Sequence, residues 1–297
     1  MIDSPLCVKA QISPAQLREI KARLTNCTEV LVFVTLFAFA ALPCSSNTSD
    51  LLDRGYRDMY NLSFNDAHHC FQEWERIHPN DPFGPVSDAA AYLFTEFDRL
   101  KVLRSEFFID DRVFLNGKKL KPEPQIKNHF DSDLDRSRQL AQIVLREAPD
   151  DQNALLATVL RMALQADYAA LIDKRYWQAM AVTKETRVYA GQLLSKHPDC
   201  YDANLASGIE NYLLSLKPAP VRWALNLTGA ETNRRTGITK LRLVAEKGHY
   251  LKPYAKILLA IAALRNNDKG EAKRLISELA TQFPDNDLFR NELAKLS

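Results

Sequence analysis

The 297-residue sequence predicts an all-α chain built from about four to five helical hairpins. Three observations carry that prediction. Only 9 glycines are present, fewer than turn-rich β architecture usually needs. Apolar residues recur with a period of 3.6 rather than 2, as in Ala67, Phe71, Trp74 and His78 on one face of Phe64–His78. A helix ending in Pro-Asp or Pro-Asn occurs four times, at Pro79, Pro149, Pro198 and Pro284. Proline stops a helix because it has no N–H and pushes the preceding residue out of αR. The Asp or Asn that follows can cap the next helix.

The N-terminal part lies outside this pattern. Val30 to Leu42 is apolar except for Thr35, follows Arg18, Lys21 and Arg23, and precedes a small, polar stretch. A bilayer span needs about 20 apolar residues, so the run fits the core of a signal peptide. Residues 1–46 are therefore expected to be a signal peptide. The alternative is an N-terminal membrane anchor, which would be the chain's one association with a membrane. Cys44 follows Pro43, a poor match to a lipoprotein signal. Removal of the leader leaves Cys70 and Cys200, too few for a disulfide framework. The sequons at Asn26, Asn47, Asn61 and Asn226 decide nothing.

Residues 47–297 form the helical domain. In Phe64–Pro82 the adjacent His68 and His69 diverge by about 100° on a helix, so they do not chelate one ion. Both are expected to face water, and no metal is expected. What recurs is the spacing: Gly55, Ala67-x3-Phe71 and Pro79 in one unit, then Ala260, Ala272-x3-Ile276 and Pro284 in the last, each step being twelve residues. This pattern resembles the tetratricopeptide repeat, in which small residues let paired helices approach and a large residue fills the space beside them. Trp74 replaces the usual alanine, and the first tryptophan of the pattern is absent. The middle units are weaker: Leu140-Ala141-x2-Val144-Leu145 leads to Pro149, and Val188-x-Ala190-x2-Leu193-Leu194 leads to Pro198. First helices of the pairs are expected at 87–104, 152–172 and 202–216, and a short last helix near 287–296 as a cap. The resemblance implies a right-handed α-solenoid. The layout is similar to exported bacterial tetratricopeptide proteins, which implies a periplasmic or cell-envelope location.

Two connections are longer than the repeat requires, at 106–127 and 217–233, and each follows the first helix of a pair. Asn116-Gly117 is a turn signal in the first. Long loops often carry function.

Nucleotide-binding, hydrolase and zinc-protease motifs are absent, so the chain is expected not to be an enzyme and to need no cofactor. Asp131-x-Asp133-x-Asp135 lacks the glycine and glutamate of a calcium loop and reads instead as an acidic helix N-terminus. A net charge of +2, with Lys118, Lys119, Lys121 and Lys127 in a solvated loop, argues against a nucleic-acid partner. Repeat arrays bind on the face lined by first helices. There Arg161, Gln165 and Tyr168 form one row, and Asn204, Glu210, Asn211 and Tyr212 another, suited to holding an extended peptide by side-chain hydrogen bonds. The expected function is a non-catalytic scaffold for a protein or peptide partner. One alternative is an enzyme or small-ligand receptor whose site is built by the two insertions, from residues such as Asp110, Asp111, Arg112, Arg222 and Trp223. The other is a membrane-anchored assembly spacer.

Overall fold

Two kinds of helix ending recur along the chain. The computed structural model describes residues 49–104, 119–216 and 232–296, and eleven α-helices lie among them. They are α1 (Ser49–Tyr60), α2 (Phe64–Ile77), α3 (Phe83–Arg99), α4 (Pro124–Glu147), α5 (Gln152–Asp167), α6 (Tyr176–Lys196), α7 (Asn204–Ser215), α8 (Arg234–Lys247), α9 (Lys252–Arg265), α10 (Lys269–Gln282) and α11 (Asp287–Lys295). No strand occurs among the described residues. All eleven helices belong to the unit Asn47–Ser297. Consecutive helices pack on one another throughout, which gives five pairs from α1/α2 to α9/α10, followed by α11.

Helices α1, α3 and α9, each the first of a pair, end in left-handed turns at Leu62 (φ 65), Lys101 (φ 62) and Asn267 (φ 60). Each turn closes with a 6→1 hydrogen bond: Ser63 N–H to Asp58 O (2.9 Å), Val102 N–H to Phe97 O (2.8 Å) and Asp268 N–H to Ala263 O (2.9 Å). Helices α2, α4, α6 and α10, each the second of a pair, stop two residues before Pro79, Pro149, Pro198 and Pro284. The residues beyond supply caps as expected. Asp81 accepts from Phe83 N–H (2.8 Å), Asp151 from Ala154 N–H (2.8 Å) and Asn286 from Leu288 N–H (2.9 Å). The fourth departs from this rule. Asp202 reaches across to the α8–α9 turn and accepts from His249 N–H (3.0 Å) and Tyr250 N–H (2.9 Å).

The small-and-large spacing of the first unit does what its residue types imply. Ala67 and Phe71 are fully buried, and a Cβ on Gly55 would stand 2.4 Å from the Phe71 ring. Burying such a phenylalanine contributes about 2–3 kcal/mol. The last unit repeats this with Ala260, Ala272 and Ile276 buried. Between them the helical stretch Gln152–Ile172, which contains α5, is apolar enough to satisfy a bilayer by length and composition. Its residues Ala154–Leu160 are all buried instead in the core that runs through every pair. The acidic run Asp131–Asp135 is corrected: α4 begins at Pro124, so these residues stand two turns inside it.

The ends of the array meet. The Tyr56 ring lies 4.6 Å from that of Tyr250, Tyr60 donates its hydroxyl to Tyr250 O (3.1 Å), and Asn286 donates to Tyr60 O (2.7 Å). A stack in which each repeat touches only its neighbours would keep these residues apart.

Candidate functional site

Helix α5 lies between α4 and α6, and Arg161, Gln165 and Tyr168 project from one side of it at i, i+4 and i+7. Arg161 donates through Nη1 to Gln165 Oε1 (3.0 Å). Its Nε is buried and has no hydrogen-bond partner among the described residues. Burial holds the Arg161 pKa below the usual guanidinium value, with Arg138 adding to the effect and Glu185, Tyr189 and Asp135 opposing it. Tyr168 is 6% exposed. Its ring stacks on Phe130 at 5.3 Å, and Lys127 Nζ lies 4.8 Å from the ring centre. The Tyr168 hydroxyl has no hydrogen-bond partner among the described residues, and burial pushes its pKa well above the ordinary phenol value.

Tyr168 opens a π-helical turn, Tyr168–Ile172, which widens the end of α5. Such turns insert one residue and re-aim the side chains around them. The described foot of the first long connection docks on this turn: Leu120 N–H donates to Ile172 O (3.0 Å), and Lys119 pairs with Asp173 (2.7 Å).

The α7 residues of the expected site are interior. Asn211 has no exposed surface and donates to Ser207 O (2.8 Å). Asn204, Glu210 and Tyr212 are also buried. Glu210 faces Arg187 at 3.6 Å, Arg234 lies over the Tyr212 ring at 5.7 Å, and Asn204 donates to Tyr201 O. The cause is the closeness of α7 and α8. Gly208 and Gly237 face one another's helices, and a Cβ on Gly237 would stand 2.6 Å from Tyr212 N. Of the expected row, Gln165 is exposed and Arg161 half-buried, whereas Tyr168 is as buried as Tyr212. The residues named for a site on the insertions, Asp110, Asp111, Arg112, Arg222 and Trp223, lie outside the described residues, as does 30–42.

A second polar cluster, not anticipated from the sequence, joins α2, α3 and α4. Asp88, buried on the alanine-rich α3, contacts His68 Nδ1 and accepts from Gln72 Nε2 (3.2 Å). His68 therefore does not face water as expected, whereas His69 does. The Tyr92 ring lies 4.0 Å from that of His68 and 5.0 Å from that of His129. Arg136 pairs with Glu75 at 2.9 Å. Burial first, then repulsion from Asp88 and Glu75, raises the Asp133 pKa to about 8, with Arg136 opposing. Glu75 is raised to about 7, by burial first, with Arg136 opposing and Asp88 adding. The buried polar Asp88 within Ser87–Tyr92 was the sequence signal available. Among the described residues no three His, Cys, Asp or Glu side chains converge to hold a metal ion. Cys70 and Cys200 are buried free thiols, and burial pushes the Cys200 pKa to about 11.

Where the two ends of the array meet, an apolar cavity of about 80 Å³ opens between α1, α3, α9, α10 and α11. Phe94, Phe97 and Phe289 form its buried wall, and the half-buried Ile257, Ile261 and Leu264 line α9.

No family model, curated protein or solved structure matches the chain.

Proposed function

We propose that the chain is a non-catalytic helical-repeat scaffold of the tetratricopeptide kind, a solenoid-like array that engages a protein or peptide partner outside the cytoplasm. The observation that carries this reading is a pair of buried donors, Arg161 Nε on α5 and Tyr168 Oη on the π-turn that follows it, neither of which is hydrogen-bonded among the described residues. A buried donor without an acceptor forfeits about 1–3 kcal/mol, and an incoming acceptor recovers it. The two residues are seven positions apart, about 10 Å along the helix. An extended peptide crosses that distance in about three residues, so two of its carbonyls, or a carbonyl and a carboxylate, match the spacing of the donors, which neighbouring side chains must uncover before they are met. Gln165, exposed between them, adds a third contact point. A guanidinium, an amide and a phenol hold acceptors; they do not form a nucleophile–base pair.

The leader-like stretch at 30–42 supports export, and the spacing of the first and last units supports the tetratricopeptide assignment. The test is in-cell crosslinking and capture from the source organism with the tagged full-length chain, intact mass of the recovered protein being read from the same sample. A partner captured by the wild type and reduced at least tenfold by Tyr168→Phe and by Arg161→Ala together is the expected result. Tyr168→Phe is the informative change, because the hydroxyl it removes has no partner among the described residues and the melting temperature should be unchanged or slightly raised. Capture indifferent to both changes would remove α5 from the interface.

A further inference from the structure

We propose that the exposed ridge of α8, with the cations of α10 beside it, docks on an anionic lipid membrane as a peripheral contact at the headgroups. No residue of α5 takes part, so this inference is independent of the peptide-scaffold reading.

Charge is segregated along the chain. Residues 47–216 carry 20 Lys and Arg against 26 Asp and Glu, whereas Arg234–Gln282 carries 11 against 4. The net charge of +2 hides this division. The four acids do not neutralise the excess around them. Arg274 holds both Glu271 and Glu278, Lys256 also holds Glu278 (2.9 Å), and Asp268 caps α10 by accepting from Glu271 N–H (3.0 Å). Glu246 is left. On earlier helices a cation is answered within one turn, as Arg76 is by Glu73 (2.7 Å) and Arg138 by Asp135 (3.1 Å). On α8, Arg235 and Arg242 are exposed, and neither forms an ion pair among the described residues. Seven positions apart, they share the exposed ridge of that helix with Thr239 and Glu246. The Arg274 hydrogen bonds first, and then the Arg242 charge, hold the Glu271 carboxyl below its ordinary range, so Arg274 of α10 stands beside Arg242.

The residue types decide which anion fits. A protein partner is gripped at a buried apolar or aromatic centre from which lysine is depleted. Among the described residues, no large apolar side chain is exposed between Arg234 and Gln282. Helix α8 also has no aromatic residue on which a nucleic-acid base could stack. Long, flexible cations on a helix surface, without an apolar centre, suit a layer of mobile headgroups whose negative potential attracts each Lys or Arg near the surface.

The experiment measures co-sedimentation of the full chain with vesicles of phosphatidylcholine alone and of phosphatidylcholine with about one-third phosphatidylglycerol. Arg235→Glu with Arg242→Glu reverses the ridge. Arg146→Glu with Lys184→Glu, at exposed positions of α4 and α6, makes the same change of net charge elsewhere. Arg235→Gln with Arg242→Gln replaces the first pair if the reversal alters the circular dichroism spectrum. The expected result is at least tenfold tighter binding to the anionic vesicles than to the neutral ones. That binding should fall at least tenfold between about 0.05 and about 0.3 M salt. It should fall at least tenfold again in the ridge variant and stay at the wild-type level in the control pair. Equal recovery on the two kinds of vesicle, or none on the anionic kind, would overturn the proposal. An equal loss in both variant pairs would also overturn it, since net charge and not the ridge would then be read. Retention on poly-L-glutamate without recovery on anionic vesicles would overturn it in favour of an acidic protein partner.

Discussion

Asp133 stands half-buried on α4 with Glu75 and Asp88 as charged neighbours, and its pKa is raised to about 8. An acid whose pKa is higher folded than unfolded holds its proton more tightly in the native state. Its stabilisation is complete below the ordinary carboxylate range and is lost as pH rises through the folded value. Asp133 and Glu75 together therefore predict that the melting temperature falls between about pH 5 and pH 9. Asp133→Asn should flatten this profile and leave the variant more stable than wild type at pH 9, by on the order of 1–3 kcal/mol. Thermal unfolding at three pH values in one buffer system measures it; an unchanged slope would show that Asp133 is as well solvated folded as unfolded. At this scale the sequence is only partly readable. The contact of Arg161 with Gln165 follows from their i, i+4 spacing. The sealing of Asn211 does not, because a polar residue on a helix gives no local sign of the helix that will cover it.

The helix boundaries show the same division. Pro-Asp and Pro-Asn endings are visible because proline cannot continue a helix whatever surrounds it. The alternate endings at Leu62 and Lys101 were invisible, because the usual signs of a left-handed turn are glycine and asparagine and this chain uses other residues there; Asn267 was the one available sign. The close approach of α7 and α8 depends on glycine, by contrast, and yields a paired prediction. Gly237→Ala places a methyl 2.6 Å from Tyr212 N and 2.9 Å from Gly208 O, both backbone atoms, so a helix must move. It should cost about 1–3 kcal/mol. Gly191→Ala, on an open face of α6 with nothing within 4 Å, should gain about 0.8–1 kcal/mol of helix propensity. Urea unfolding of the two variants beside wild type tests both, and the prediction lies in the opposite signs.

Across the whole molecule, the all-α class was readable because four of the five pairs end in a proline stop; the α7/α8 pair, which ends at Gly248, carries no such signal. The contacts between the first and last helices were not. They join residues 190 and 226 positions apart, and no local pattern encodes such a meeting. Asn286 concentrates it: one amide serves the carbonyl of Tyr60 and the N–H of Leu288 from a buried position. Asn286→Ala leaves the Tyr60 carbonyl without that bond and should cost about 2–3 kcal/mol. Hydrogen exchange of α1 should rise with it, whereas a loss confined to α11 would mean that Asn286 acts as a helix cap alone.

The meeting of the ends also fixes the size of the array. An open row of repeats tolerates a further pair in its middle, because each new unit finds neighbours like those it displaced. Here an inserted or deleted pair would rotate α10 and α11 away from α1, and Tyr60, Tyr250 and Asn286 would no longer reach one another. Adding a helical pair to this chain therefore requires that the seam between its first and last helices be rebuilt at the same time.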